Sequence, residues 1–188
     1  MAIREPGSTQ AISDTGPLIS IFQSNSLDVV TTLLPVIHIP QACADELAKH
    51  GWKEALQLSN SRIQIHALSD KEKEAAWSIA QRIAAHAMSG DPEPAHHLGE
   101  AQAIVLATRP EYASDVLLID ELAARAVAQD IGLALSGFPG VLLVAAQEGL
   151  LSAEEVKERL ETCQRQGTHY SGALIKQVYS AAKEGERG

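Results

Sequence analysis

A chain of 188 residues, of which 45% are hydrophobic and 21% charged, is long enough for one sizeable core and has an ordinary globular composition. Its formal net charge of −9 excludes nucleic-acid binding through a broad basic surface, and 4% aromatic residues disfavour a platform for stacked bases. No apolar run has the length of a membrane span or the form of a secretory signal, and the two cysteines lack metal-binding spacing. We expect one cytoplasmic domain over residues 1–188, with flexible ends at 1–10 and 183–188.

The first half of the chain predicts short strands and longer helices in alternation. Apolar or alternating runs predict strands at 11–13, 36–40 and 62–68. The segment LISIF at 18–22 is predicted to start a helix, a second helix is predicted at 41–50, and a longer one follows Asp70. The apolar stripe of that longer helix repeats at helical spacing and consists of Ala75, Ala76, Ile79, Ala80, Ile83, Ala84 and Ala87.

The second half continues the alternation after a loop at 89–99, which contains two prolines and two glycines. The predicted elements are a helix at 100–108, a strand at 115–119, a helix at 121–132, a strand at 133–136, a helix at 141–149 and two further helices. The continuous apolar run at 115–119 is typical of a central parallel strand. Together the elements indicate an α/β fold with right-handed βαβ units and a parallel sheet covered on both faces.

Two aspartates directly follow predicted strands. Asp14 follows the strand at 11–13, and Asp120 follows the strand at 115–119. Ligands of open parallel sheets bind beyond the carboxyl ends of the strands, so the two side chains are candidates for one site. Aspartate is also a good N-cap for a helix, and either residue alone is explained equally well in that way. Their shared edge favours a site for the pair.

Two glutamates lie on predicted helix faces that should point inwards. Glu46 shares its stripe with Leu47, and Glu100 is followed three and four residues later by Ala103 and Ile104. A carboxylate on a buried face is costly unless it is paired or bound to a metal. Alternatively, Glu100 is a first-turn acid favoured by the helix dipole, and Glu46 reaches solvent from the edge of its stripe. Carboxylates without histidine or cysteine at matching spacing indicate a hard cation, Mg²⁺ or Mn²⁺.

Other polar residues near these acids have simpler explanations. Glu121 directly follows Asp120 and lies four residues before Arg125, which is the favourable order for a surface ion pair. It is either that pair or a further acid of the site, and the pair is slightly favoured. His96 and His97 lie in the loop at 89–99, where a solvated position is expected.

Five segments taken in order resemble a known family. They are ISDTGPLIS at 12–20, DEL at 45–47, GEAQAI at 99–104, LLIDE at 117–121 and SGFPGVLLVAAQEGLL at 136–151. The ordered set is similar to prokaryotic PIN-domain proteins, most of all to the branch of VapC-like toxins and uncharacterised nucleic-acid-binding proteins. The resemblance covers roughly residues 11–180, far more than a single motif match would.

The resemblance implies a three-layer α/β/α sandwich with a central parallel sheet. It also implies a Mg²⁺- or Mn²⁺-dependent endoribonuclease that is commonly inhibited by a cognate antitoxin and often forms a homodimer. The acidic site of the family carries over to Asp14, Glu46, Glu100 and Asp120. Thr15 matches the hydroxyl residue after the first acid, and Ser136 matches a hydroxyl position after the last strand. Glu121 stands where many relatives have a second aspartate.

The sequence therefore predicts a single-domain, metal-dependent ribonuclease that is the toxin of a toxin–antitoxin pair and leaves 5′-phosphate and 3′-hydroxyl ends. Asp14, Glu100 and Asp120 are the predicted metal ligands, while Glu46 holds a second metal or a metal-bound water. An arginine of the antitoxin would enter the acidic site, with the apolar stripe of the helix at 41–50 as its docking edge. The alternatives are a catalytically decayed PIN-like module that binds protein or nucleic acid, and a subunit that assembles through the alanine-rich helix at 75–87.

Overall fold

The computed structural model describes residues 9–113 and 115–186, in which strands and helices alternate from residue 11 onwards. The strands are β1 (Ala11–Ser13), β2 (Ile37–Pro40), β3 (Ile63–His66), β4 (Val116–Leu118) and β5 (Leu135–Ser136). The helices are α1 (Thr15–Gln23), α2 (Leu27–Leu33), α3 (Gln41–Lys49), α4 (Lys53–Leu58), α5 (Asp70–Ala84), α6 (Leu98–Ala107), α7 (Leu122–Ile131), α8 (Phe138–Gln147), α9 (Ala153–Arg165) and α10 (Gly172–Gly185). Two short 3-10 helices lie at Pro94–His97 and Pro110–Tyr112.

The five strands form one parallel sheet in the order β3-β2-β1-β4-β5. β1 lies in the middle and pairs with β4 so that Ala11, Ile12 and Ser13 stand beside Val116, Leu117 and Leu118. All three residues of β1 are buried, because helices cover both faces of the sheet. The carboxyl ends of β1 and β4 therefore meet at the same edge.

Two hydrophobic clusters form the interfaces between the sheet and the helices, one on each face of the sheet. Ala11 and Leu118 belong to the cluster that includes α1, α2, α3, α8, α9 and α10, whereas Ile12 and Leu117 belong to the cluster that includes α5, α6 and α7. Neighbouring strand residues thus bury their side chains on opposite faces of the sheet. This arrangement confirms the predicted three-layer α/β/α fold with a parallel sheet.

Two helices are absent from the sequence prediction. In α2 only Val30 is buried, and in α4 no residue is buried. Helices of one or two turns with so little burial carry no apolar period that a sequence pattern can reveal. They connect β1 to β2 and α3 to β3 without adding to the sheet.

The alanine-rich stripe is shorter than predicted. Helix α5 ends at Ala84, so that Ala87 lies beyond it, and both Ala75 and Ala87 are exposed. The buried residues Ala76, Ala80 and Ile83 face the core of the same chain. The stripe is therefore used within the chain, which removes the reason to expect assembly through it.

The loop predicted at 89–99 contains a 3-10 helix and the first turn of α6. His96 is exposed as expected, but His97 is 5% exposed, and its Nε2 lies 2.9 Å from the carbonyl oxygen of Asp91. The expected solvated position is thus wrong for His97, because backbone and hydroxyl groups of the loop supply its hydrogen bonds.

The predicted flexible ends are only partly described. Residues 1–8 and 187–188 lie outside the described residues. The backbone nitrogen of Gln10 donates to Oδ1 of Asp115, and α10 continues to Gly185 with Ala182 buried. Residues 183–185 are thus helical, and the flexibility of both ends stays a prediction. Among the helices of the described ranges, none has both the length and the hydropathy that crossing a membrane requires.

Candidate active site

A cleft of about 1000 Å³ opens at the edge of the sheet where β1 and β4 end. Every residue that the sequence singled out for the site lines this cleft, namely Asp14, Thr15, Glu46, Glu100, Asp120, Glu121 and Ser136. They come from segments far apart in the chain, and the parallel sheet brings these segments to one edge. Apolar side chains also line the cleft, among them Ile19, Leu135, Leu143 and Leu174.

Asp14 both caps α1 and faces the cleft. Its Oδ1 accepts a hydrogen bond of 2.7 Å from the backbone nitrogen of Gly16, and only 5% of the residue is exposed. Burial raises the pKa of the Asp14 carboxyl well above its usual range, and the negative charge of Glu100 raises it further. The cap and the site, which the sequence treated as alternatives, are thus compatible in one side chain.

Glu46 of α3 and Glu100 of α6 both line the cleft, and their negative charges affect each other. The hydroxyl of Thr15 donates to Oε2 of Glu46 at 2.8 Å. Gly99 leaves room for this carboxylate, since a Cβ at that position would lie 3.2 Å from Oε2. The Glu46 side chain remains 46% exposed, whereas burial raises the pKa of Glu100, with the charges of Glu46 and Glu121 adding to the effect.

Asp120 is held through both of its carboxylate oxygens. Oδ1 accepts from the backbone nitrogen of Phe138 at 3.0 Å, and Oδ2 accepts from the hydroxyl of Tyr170 at 2.8 Å. Asp120 therefore receives a donor from the first turn of α8 rather than capping the helix that follows it. Burial raises its pKa, while these two hydrogen bonds and the charge of Arg125 oppose the rise.

The ion pair predicted between Glu121 and Arg125 is wrong. Glu121 is the N-cap of α7, and its Oε2 accepts from the backbone nitrogen of Ala124 at 2.5 Å. Arg125 instead donates from Nη1 to the carbonyl oxygen of Ile119 at 2.8 Å. Glu121 has an extended backbone (φ −70°, ψ 128°), so the two side chains do not share the helical spacing that the sequence suggested.

The segment that enters α8 packs closely against the acids. Ser136 donates from its hydroxyl to the carbonyl oxygen of Gly137 at 3.1 Å. A Cβ on Gly137 would lie 2.4 Å from Oδ1 of Asp120, and a Cβ on Gly140 would lie 2.6 Å from Oγ of Ser136. At both positions the missing Cβ leaves space for a side chain, Asp120 beside Gly137 and Ser136 beside Gly140, which would otherwise have to shift.

Tyr170 lines the cleft and contacts a predicted acid, but the sequence did not identify it. It is 6% exposed and lies in the connection between α9 and α10, 50 residues after Asp120. Burial and the nearby Asp120 charge raise the pKa of its hydroxyl, which therefore stays protonated and acts as a donor. No motif surrounds Tyr170 in the sequence, so no local signal could have identified it.

The chemistry of the donor set suits a hard divalent cation. Asp14, Glu100 and Asp120 take part in no ion pair among the described residues, and burial raises the pKa of all three. A cation would offset the repulsion among these carboxylates. Within residues 9–113 and 115–186, no three His, Cys, Asp or Glu side chains lie close enough together to bind one metal ion. The donor types fit, and the carboxylates would have to draw together to hold a metal.

A family model described as DUF3368, a PIN domain, matches residues 10–184. The chain belongs to the PIN-domain family. This match confirms the resemblance to PIN-domain proteins but not the VapC-like branch, and it reaches into the last helix, so that Tyr170 lies within the PIN domain. PIN domains are typically metal-dependent nucleases that act on RNA or DNA. No protein with a curated description matches the chain.

Proposed function

We propose that this PIN domain is a metal-dependent endoribonuclease whose site is the acidic cleft. The observation that carries the proposal is the meeting of Asp14, Glu46, Glu100 and Asp120 in one cleft, from four separate segments. A protein with a net charge of −9 repels phosphates unless a cation is present locally, and these carboxylates supply the ligands for one.

In this proposal Asp14, Glu100 and Asp120 hold Mg²⁺ or Mn²⁺. The bound ion would activate water and neutralise charge on the phosphodiester. Thr15, which directly follows Asp14, holds the Glu46 carboxylate in the cleft, where it is available to a second ion or to water. Glu121 fixes the start of α7 and adds negative charge beside Glu100.

The apolar side chains of the cleft support an unstacked strand as substrate. Ile19, Leu143 and Leu174 line the same cleft as the acids, and a base or sugar could pack against them without hydrogen-bond readout. The preference for RNA over DNA follows from the resemblance to VapC-like proteins.

The test is cleavage of a labelled single-stranded RNA by the purified chain, with a DNA of the same sequence alongside. Asp14→Asn and Asp120→Asn are expected to lose about 100-fold or more of the Mn²⁺-dependent rate. Asp130→Asn is the matched control, because Asp130 is 69% exposed on α7 and pairs with Arg82 away from the cleft. Asp14→Asn with the unchanged rate at saturating Mn²⁺ would refute the site.

A binding module without catalysis is the second candidate. It is favoured by the hydrogen bonds that engage both oxygens of Asp120 and by the absence of a converged carboxylate trio among the described residues. A catalytic site is expected to bind Mn²⁺ and to raise the melting temperature of the protein as the ion is added. RNA binding without cleavage and without stabilisation by Mn²⁺ would favour the second candidate.

The toxin role, the cognate antitoxin and the homodimer belong to the same proposal and rest on the resemblance, whereas the cytoplasmic location is proposed from the cysteine content of the sequence. The predicted docking edge on α3 is wrong, because Cys43, Ala44 and Leu47 are buried in the core of the same chain. Growth of cells that express the chain, compared with cells that express Asp14→Asn, tests the toxin role. Equal growth at equal protein level would remove the reason to expect an antitoxin, and light scattering decides the oligomeric state.

A further inference from the structure

The connection between α9 and α10, residues 166–171, forms one side of the cleft, and all six of its residues line it. The proposed acids all precede this connection, since the last of them is Asp120. Helices α9 and α10 pack on each other and on α8, which places the connection over the carboxyl edge of the sheet. The cleft is therefore completed by a segment that supplies none of the four carboxylates.

Hydrogen bonds fix the α9–α10 connection to the end of α1. Gln23 donates from Nε2 to the carbonyl oxygen of Gln166 at 3.2 Å, and Gln166 donates from Nε2 to the carbonyl oxygen of Gln23 at 3.1 Å. The hydroxyl of Thr168 donates to Oε1 of Gln23 at 2.7 Å. Gln164 donates to the carbonyl oxygen of Tyr170 at 2.6 Å. Tyr170 thus extends from a backbone that is anchored on both sides.

The hydroxyl of Tyr170 links α1 to the Asp120 carboxylate. Its single proton is donated to Oδ2 of Asp120 at 2.8 Å, so Ser20, 2.9 Å away, must donate to the phenolic oxygen. Ser20 is fully buried, and Tyr170 is nearly so. Because Phe138 donates to the other oxygen, the orientation of the Asp120 carboxylate is fixed from two directions. Each oxygen keeps a lone pair for another ligand.

We propose that Tyr170 is a positioning residue for the cation site, which acts by restraining the Asp120 carboxylate at the edge where the other carboxylates would draw together around the ion. The inference rests on the proposed function. Hydrogen-bond partners of metal ligands set the orientation of those ligands, and their removal typically weakens metal binding by about 10–100-fold. Without the Tyr170 hydroxyl, the Asp120 carboxylate could turn about its last torsion. The Ser20 hydroxyl would also lose the phenolic oxygen to which it donates.

Mn²⁺ binding by Tyr170→Phe separates this role from a purely structural one. The dissociation constant is measured from the spin-resonance signal of free Mn²⁺, so the readout does not depend on cleavage. Tyr179→Phe is the matched control, since the Tyr179 hydroxyl also donates to a carboxylate, Oε1 of Glu154 at 2.5 Å, but lies outside the cleft lining. Tyr170→Phe is expected to bind Mn²⁺ about 10–100-fold more weakly, and Tyr179→Phe within about twofold of the unchanged chain.

Ser20→Ala provides a second variant that leaves Asp120 and Tyr170 intact. It removes the donor behind the phenol and is expected to weaken Mn²⁺ binding by about threefold or more. It decides the question if Tyr170→Phe does not fold, as judged by circular dichroism. An unchanged dissociation constant in whichever variant folds would overturn the positioning role.

Failure of the inference differs from failure of the proposed function. If the unchanged chain binds Mn²⁺ and Tyr170→Phe binds it equally well, Tyr170 only pins α10 to α1, and the proposed nuclease site stands. If the unchanged chain binds no Mn²⁺, the proposed site and the positioning role are both overturned. A lower melting temperature of Tyr170→Phe with unchanged Mn²⁺ affinity is the signature of the purely structural role.

Discussion

Gly137→Ala places one methyl group against the carboxylate at the centre of the cleft. Gly137 has φ −111°, a value that alanine also adopts, so the substitution acts through space and not through backbone strain. The new Cβ would lie 2.4 Å from Oδ1 of Asp120 and 3.4 Å from Nη1 of Arg125. The first distance is too short for any carbon–oxygen contact, so Asp120 or the start of α8 must move.

The size of the movement sets the size of the effect. Ordinary contact for a Cβ begins near 3.4 Å, so Oδ1 must retreat by about 3.4 − 2.4 = 1.0 Å. Such a shift breaks the hydrogen bond of 3.0 Å from Phe138 or pushes α8 away from the sheet. Overpacking of this kind costs about 1–3 kcal/mol, which corresponds to a fall in melting temperature of about 2–12 °C for a chain of this length.

Thermal unfolding and Mn²⁺ titration of Gly137→Ala test this expectation. Mn²⁺ binding is expected to weaken by about tenfold or more, because a proposed ligand has moved by about 1 Å. Gly172→Ala is the control, since nothing lies within 4 Å of its Cβ at the start of α10, and it is expected to leave stability unchanged or raise it by up to about 1 kcal/mol. Gly137→Ala with the melting temperature and Mn²⁺ affinity of the unchanged chain would refute the steric argument.

Three further outcomes follow from the charges and caps. Asp14→Asn is expected to raise the free energy of unfolding of the metal-free protein at pH 7 by about 1 kcal/mol, because the variant no longer buries a charge at this position. Urea unfolding in EDTA measures this free energy, and a variant less stable than the unchanged chain would contradict the expectation. Glu121→Ala removes the acceptor for the Ala124 backbone nitrogen and is expected to cost about 1 kcal/mol, and a loss below about 0.3 kcal/mol would show that this cap contributes little. Hydrogen bonds from Arg109 lower the pKa of Glu72 from 4.5 to about 2, so the stability that Glu72 contributes is present above pH 4.5 and lost towards pH 2. Glu72→Gln should therefore be about 1 kcal/mol less stable than the unchanged chain at pH 7 and equal to it near pH 2, and a difference that does not vary with pH would contradict the linkage.

Local patterns in the sequence predicted the sheet because its strands are buried on both faces. The runs that form β1 and β4 are almost wholly apolar, and the acids after them mark where each strand ends. The sequence did not predict helices α2 and α4, because they have too few buried side chains to give a helical repeat of apolar residues. The predicted apolar stripe of α5 is too long, because alanine favours a helix whether or not it is buried. Ala75 and Ala87 are both exposed and do not contribute to the core.

At the site, the sequence predicted the acids that follow the ends of strands, but it did not predict contacts that depend on how the helices pack. Asp14 and Asp120 follow adjacent strands, and the parallel topology alone brings them to one edge. Glu121 and Arg125 have the spacing of an ion pair in the sequence. In the structure the Glu121 carboxylate caps α7, and Arg125 donates to the carbonyl oxygen of Ile119 instead. Tyr170 reaches Asp120 only after α9 and α10 have packed on α8, and no spacing along the chain encodes that contact.

The late position of Tyr170 has a consequence for synthesis. A ribosome adds about 5–20 residues per second, so the 50 residues between Asp120 and Tyr170 take roughly 2.5–10 s to make. During that interval the nascent chain already contains all four carboxylates, while the side of the cleft formed by residues 166–171 does not yet exist. Asp120 can therefore receive its second donor only after Tyr170 has been added, so this side of the cleft matures later than the carboxylates themselves.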